Sequence, residues 1–319
     1  MDDDLHAIFD KNLGPHRIIR DLEFYLDASI EIALDLIIFD EIQACPRALT
    51  SLKYFNEQLP DAYICAAGSL LGIGLAEGSY PVGSVEYLDL YPMSFSEFLE
   101  GTGQKRIAAF LRDFSISEKI PHSVHTRLWE QWKQYLIVGG LPEIVKIYDE
   151  RQPDLFKAIK SVRKRQAELI RDYLADMAKH SGKQNALHIE RIWRNIPSQL
   201  AREHDGSAPK FRFKGVVPGV HAYSRLAGAI DWLEAAGLII KVPIANHADL
   251  PLSAYTRDNT FKLFCFDVGM LGALSGLPPK TILDYDYGSY KGYVAENYAA
   301  RELIGTGAGS LYSWRERTG

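Results

Sequence analysis

Leu36-Ile37-Ile38-Phe39-Asp40-Glu41 is the stretch on which the fold turns. Its first four residues are apolar without a break, and its last two are acids. An unbroken apolar run, rather than an alternating one, is what a parallel strand buried on both faces requires. Ala62-Tyr63-Ile64-Cys65-Ala66-Ala67 is a second such run. Between them, Pro46 to Leu59 reads as a helix: Pro46 suits its first turn, and Leu49, Leu52, Phe55 and Leu59 recur at helical spacing. Strand, helix, strand is the crossover unit of a parallel sheet, so the N-terminal region is α/β. Val85 to Leu90 is expected as a third strand. Ser94 and Glu97 then form an S-x-x-E capping box that opens a helix through Phe98 and Leu99.

Outward from this region the pattern changes. Residues from about 104 to 182 read as almost wholly helical, broken sharply at Gly139-Gly140-Leu141-Pro142. A helix is expected from Ile189 to Arg202 and another from Tyr223 to Ala236, with Gly237 in the C-terminal cap position. Leu238–Val242 and Phe261–Phe266 look like two strands joined by a polar loop. Helices followed by a hairpin is the layout of a winged helix-turn-helix. A last helix through Val294 to Leu303 and a strand at Leu311–Trp314 close the sequence.

Composition narrows the function classes. Of 319 residues, 47% are hydrophobic and 24% charged, as in folded soluble proteins, and no apolar run is long enough to cross a bilayer. MDDDLHAIFD at the N-terminus lacks the layout of a signal peptide. Cys45, Cys65 and Cys265 are scattered, which argues against a disulfide framework or zinc and fits a reducing, cytoplasmic setting. The net charge of −5 is the wrong sign for a protein that coats phosphate backbones, so any nucleic-acid contact has to come from a local patch.

An apolar parallel strand that ends in Asp-Glu puts two carboxylates at the edge of the sheet where open α/β folds bind ligands. Asp40 suits a Mg²⁺ ligand beside nucleotide phosphates, and Glu41 suits the base that orients and deprotonates water. The alternative is a strand that exits into a helix and keeps an acid near the helix N-terminus.

The run LIIFDEIQACP from Leu36, then ALTSLKYF, AAGSLLG and PVGSVEYLDLYPMSFSEFL, resembles the prokaryotic AAA+-type predicted ATPases that carry a C-terminal domain of unknown function. The likeness continues through Gly139–Glu143, Ile196–Leu200, Trp232–Leu238, Leu252–Tyr255, Phe261–Met270 and Glu296-Asn297. It implies ATP and Mg²⁺ as cofactors, a polar sensor of the γ-phosphate at Ser69, and a restriction-endonuclease-like last segment with Glu296 at its first acidic position. The implied fold class is α/β: a partial AAA+-type P-loop NTPase parallel sheet over 1–103, a helical region over 104–183, a winged helix-turn-helix over 184–286 and a partial α/β segment over 287–319.

The sequence departs from that family in one respect that matters for chemistry. No G-x-x-x-x-G-K-[ST] phosphate loop occurs in it, and Gly14-Pro15-His16-Arg17 is no substitute. The expectation is a chain cut at both ends and inactive alone as an ATPase. Glu296 by itself cannot build a two-metal nuclease site. Candidate nucleic-acid or phosphate contacts are Arg225 on the expected recognition helix, accompanied by Asp231 and Glu234, and a stripe of Lys157, Lys160, Arg163, Lys164, Arg165 and Arg171. The stripe also reads as a solvated face balanced by Glu168 and Asp172. His122 and His125 read as surface residues, and Trp129, Trp132 and Tyr135 as core. The functions carried forward are an ATP-hydrolysing AAA+ switch or motor, a DNA-binding or protein-docking winged-helix module, and a nuclease-like protein.

Overall fold

The computed structural model describes residues 3–68, 83–115, 117–204, 210–284, 290–307 and 309–314. The chain divides into two units, Met1–Leu90 and Tyr91–Gly319.

In the first unit, helices α1 (Asp3–Asp10) and α2 (Pro15–Leu26) precede strand β1 (Leu36–Phe39), helix α3 (Pro46–Gln58) and strand β2 (Tyr63–Ala66). Gly14 and Pro15 start α2, as the fixed φ of proline favours. The basic residues nearby close off α1: Arg47 donates to Phe9 O at 2.6 Å and Lys11 O at 2.7 Å, and Arg17 Nε donates to Asn12 O at 2.9 Å. Those carbonyls have no partner within the helix. β1 and β2 pair in parallel, in register from Leu36↔Tyr63 to Phe39↔Ala66.

The unbroken apolar run predicts two buried faces, and the structure buries one. Ile37, Phe39, Ile64 and Ala66 pack on a core of Ile18, Leu22, Ile42, Leu52 and Phe55. Leu36, Ile38 and Tyr63, on the other face, are 59%, 58% and 59% exposed. Among the described residues α1, α2 and α3 form a single layer, so only alternate strand residues find cover. Val85–Leu90 differs from expectation as well: it joins no sheet among the described residues. Leu88 and Leu90 are almost fully exposed.

The second unit begins with α4 (Phe95–Gly101), whose capping box forms as predicted: Glu97 N–H donates to Ser94 Oγ and Ser94 N–H to the Glu97 carboxylate. Then come α5 (Lys105–Asp113), α6 (His122–Val138), α7 (Pro142–Asp149), α8 (Leu155–Ser181) and α9 (Lys183–His204). The break between α6 and α7 falls at Gly139–Leu141 as expected. α9 is longer than the predicted 189–202 and contains Pro197. The helix predicted from Tyr223 is a 3-10 turn, Tyr223–Arg225, followed by α10 (Ala227–Ala235), with Gly237 at φ 69° closing it. Strands β3 (Ile239–Ala245) and β4 (Phe261–Cys265) form an antiparallel hairpin. Helices α11 (Val268–Leu274), α12 (Pro279–Leu283) and α13 (Tyr290–Gly305) follow, and β5 (Ser313–Trp314) pairs in parallel with β3. One core runs through this unit, with Phe98, Tyr135, Trp193, Phe211, Phe261 and Tyr293 fully buried.

Candidate functional site

Asp40 and Glu41 are held outward by the residues on either side of them. Phe39 packs between the rings of Phe9 and Phe55, at centroid distances of 5.7 and 6.1 Å. Ile42 is buried. The end of β2 ties the segment down: Ala67 N–H donates to Phe39 O at 2.9 Å, and Ile42 N–H donates to Ala67 O at 3.1 Å. With both flanks fixed, the acids stand exposed at the C-terminal edge of the parallel pair. Asp40 Oδ1 accepts the Glu41 N–H at 3.0 Å, and the Gln43 side-chain amide donates to the Glu41 carboxylate. Glu41 lies in the left-handed region at φ 52°, ψ 40°, a conformation that costs a side-chain-bearing residue on the order of 1–2 kcal/mol. Held strain of this kind is concentrated at functional positions.

The donor set fits a hard divalent cation. Neither carboxylate is paired with a Lys or Arg among the described residues, and Mg²⁺ uses one or two carboxylates, water and phosphate oxygens. No group of three or more His, Cys, Asp or Glu that could hold a metal ion occurs among the described residues. Ser69, the predicted γ-phosphate sensor, lies outside the described residues.

The basic stripe of α8 is not one surface. Arg163 turns inward: its Nη1 donates to Gln166 Oε1 at 2.8 Å and to Gly269 O at 3.1 Å. Burial lowers its pKa to about 10, with nearby Asp267 opposing the shift. Arg165 is held by Glu143 at 2.7 Å, Glu168 at 3.3 Å and Asp172 at 3.4 Å. Lys160 is exposed. Arg225 is exposed on the 3-10 turn, while Asp231 and Glu234 of α10 both pair with Lys241, at 3.4 and 3.3 Å. Glu296 pairs with Lys262 Nζ at 3.0 Å. Its neighbour Asn297 is buried and bonds both backbone groups of Cys265, at 2.7 and 3.0 Å. His122 and His125 are exposed and Tyr135 is buried, as expected; Trp129 and Trp132 stack at 5.1 Å, half-buried.

Sequence reasoning missed Asp267. Its carboxylate is buried and accepts Gly140 N–H at 2.7 Å and Met270 N–H at 2.8 Å, which caps α11 and clamps the α6–α7 turn. Gly139, at φ 76°, has no room for a side chain, since a Cβ there would lie 2.2 Å from Asp267 Oδ1. Gln166 completes the clamp by donating to Ile137 O and Val138 O, each at 3.0 Å. The local signal was an Asp three residues ahead of Met270 in an apolar helix start, an N-cap pattern.

Residues 4–99 match the family model of an AAA domain, and residues 129–281 match that of a domain of unknown function (DUF8612). No curated protein and no solved structure matches the chain. The chain thus carries an AAA-type, ATPase-like region, which implies a nucleotide and, typically, Mg²⁺. Among the described residues no helix is long and apolar enough to cross a membrane.

Proposed function

We propose that the N-terminal unit, Met1–Leu90, carries the acidic-strand side of an AAA+-type ATP-hydrolysing site, and that the protein is a nucleotide-driven switch or motor. The carrying observation is the Asp40-Glu41 pair, turned out of the parallel pair's C-terminal edge between the anchored Phe39 and Ile42. Asp40 holds the cation, which neutralises phosphate charge when bound. Glu41 follows beyond the strand in the left-handed conformation, with its exposed carboxylate accepting from the Gln43 amide, and its part is to orient a water and accept its proton. Ser69 is proposed as the polar sensor of the γ-phosphate. A complete site also needs backbone N–H groups and a lysine to cradle the phosphates, and this sequence has no G-x-x-x-x-G-K-[ST] loop to supply them.

The hairpin β3–β4 with α10 is proposed as a winged helix. α10 suits protein docking better than phosphate contact, because it carries Asp231 and Glu234 and no basic residue. For Glu296 a structural part supports more of the observations than a nuclease part, since its charge is met by Lys262.

The test joins a strand–G-x-x-x-x-G-K-[ST]–helix segment ahead of Met1 and measures ATP affinity with and without Mg²⁺. Asp40→Asn should lose most of the Mg²⁺-dependent gain in affinity, while Glu41→Gln should keep it. If Asp40→Asn binds MgATP as tightly as the parent, the metal assignment is wrong.

A further inference from the structure

Helix α8 presents an exposed line of side chains that the nucleotide reading leaves unused. Phe156, Lys160, Lys164, Ala167 and Arg171 are all exposed and follow one another at intervals of four, four, three and four residues. Such spacing keeps them on one face, and Lys157 lies beside the first of them. At 1.5 Å per residue the line is roughly 22 Å long. Ala158, Val162, Gln166 and Ile170 on the opposite side are buried. With Arg163 turned inward and Arg165 held by three acids, the exposed charge along this face belongs to Lys157, Lys160, Lys164 and Arg171.

Acids close to the line offset it only in part. Asp154 lies 3.4 Å from Lys157, and Glu168 lies 3.9 Å from Lys164 while also serving Arg165. Asp172, beside Arg171, is directed to Arg165. Lys160 and Arg171 have no acidic partner among the described residues. Phe156, at the N-terminal end of the line, is 80% exposed.

We propose that this face binds the backbone of a single-stranded nucleic acid, with Phe156 as a stacking seat for one base. Cations strung along 22 Å do not converge on one phosphate group, but they match a linear polyanion. A single exposed aromatic is too little for membrane anchoring, which needs a broad apolar helix face. It suffices to stack a base, and only an unpaired strand offers a free base face. Binding of this kind is tolerant of sequence and sensitive to salt.

The experiment uses the whole chain and fluorescein-labelled dT20, with anisotropy titrations at several KCl concentrations. Four backbone contacts predict a log–log salt slope of about −3. The triple variant Lys160→Ala, Lys164→Ala, Arg171→Ala should flatten that slope by about 2. Phe156→Ala should weaken dT20 binding roughly tenfold at unchanged slope, and Phe156→Trp should restore it. Arg225→Ala should change neither quantity. All these side chains face solvent, so circular dichroism should show the variants folded. Absence of dT20 binding at 50 mM KCl would overturn the proposal. So would a triple variant with parental affinity and slope, equal binding of duplex with no effect of Phe156→Ala, or binding to phosphatidylserine vesicles in place of dT20.

Discussion

Truncating Asp267 to Ala should unfold the second unit at a clearly lower temperature. The carboxylate accepts two buried N–H groups, from Gly140 and Met270. Loss of the α11 cap costs about 1 kcal/mol. The Gly140 N–H, left buried without an acceptor, costs about 1–3 kcal/mol more. Arg163, held inward nearby, also loses an opposite charge that supports its protonated form. Relief of a desolvated carboxylate offsets part of this, because burial raises the Asp267 pKa above its ordinary value. The net loss is about 2–4 kcal/mol, or roughly 5–15 °C in Tm for a unit of this size. Thermal and urea unfolding followed by circular dichroism measure it. Asp267→Asn keeps one acceptor and should fall between parent and Ala. The pH dependence has a definite sign. A carboxyl whose folded pKa is raised gives most stability below its unfolded value and loses it as pH rises through the folded one. The urea-midpoint gap between parent and Asp267→Asn should therefore narrow from pH 4 to pH 8. A loss under 0.5 kcal/mol for Asp267→Ala (about the scatter of neutral surface changes) would refute the clamp.

Further outcomes follow from the same geometry. Gly140→Ala should prevent folding of the second unit or cost more than about 3 kcal/mol, because a Cβ there would lie 2.1 Å from Met93 O and 2.7 Å from Met93 N, both backbone atoms. Gly228→Ala, in open space on α10, should be neutral or stabilise by up to about 1 kcal/mol, read as a shift in urea midpoint. Thiol titration at pH 8 should show Cys65 reacting fast and Cys45 more slowly. Cys265 should react only after unfolding, since burial pushes its thiol pKa up to about 12. A native protein with three fast thiols would contradict the described core.

Local signals made part of this structure legible. The apolar runs and Pro46 mark β1, α3 and β2, and Ser94 with Glu97 marks the start of α4, because each depends on residues a few positions apart. Features set by distant partners were not legible. Whether a strand face is covered depends on which helices pack over it, and Leu36 and Ile38 carry no mark of that. Val85–Leu90 has strand composition, but a strand also needs a neighbour to pair with. On a helical wheel Arg163 lies between buried Val162 and exposed Lys164, and its inward turn is fixed by a carbonyl more than 100 positions away, at Gly269. Asp267 likewise gains its meaning from Gly140, far off in sequence. The Asp40-Glu41 pair is different: its placement follows from the strand that ends at Phe39, so sequence and structure agree on where it lies.

Glu41 is proposed as the base of an ATP-hydrolysing site whose cation Asp40 holds. The most direct measurement is steady-state phosphate release, with and without the joined phosphate-loop segment. The 319-residue chain alone should release phosphate only at the background rate. With the segment present, turnover should appear, and Glu41→Gln should lower it by roughly 100-fold or more, the scale of a lost general base. Release above background by the chain alone, abolished by Glu41→Gln, would contradict the need for a phosphate cradle. Turnover at the parental rate in the joined Glu41→Gln variant would contradict the catalytic assignment itself.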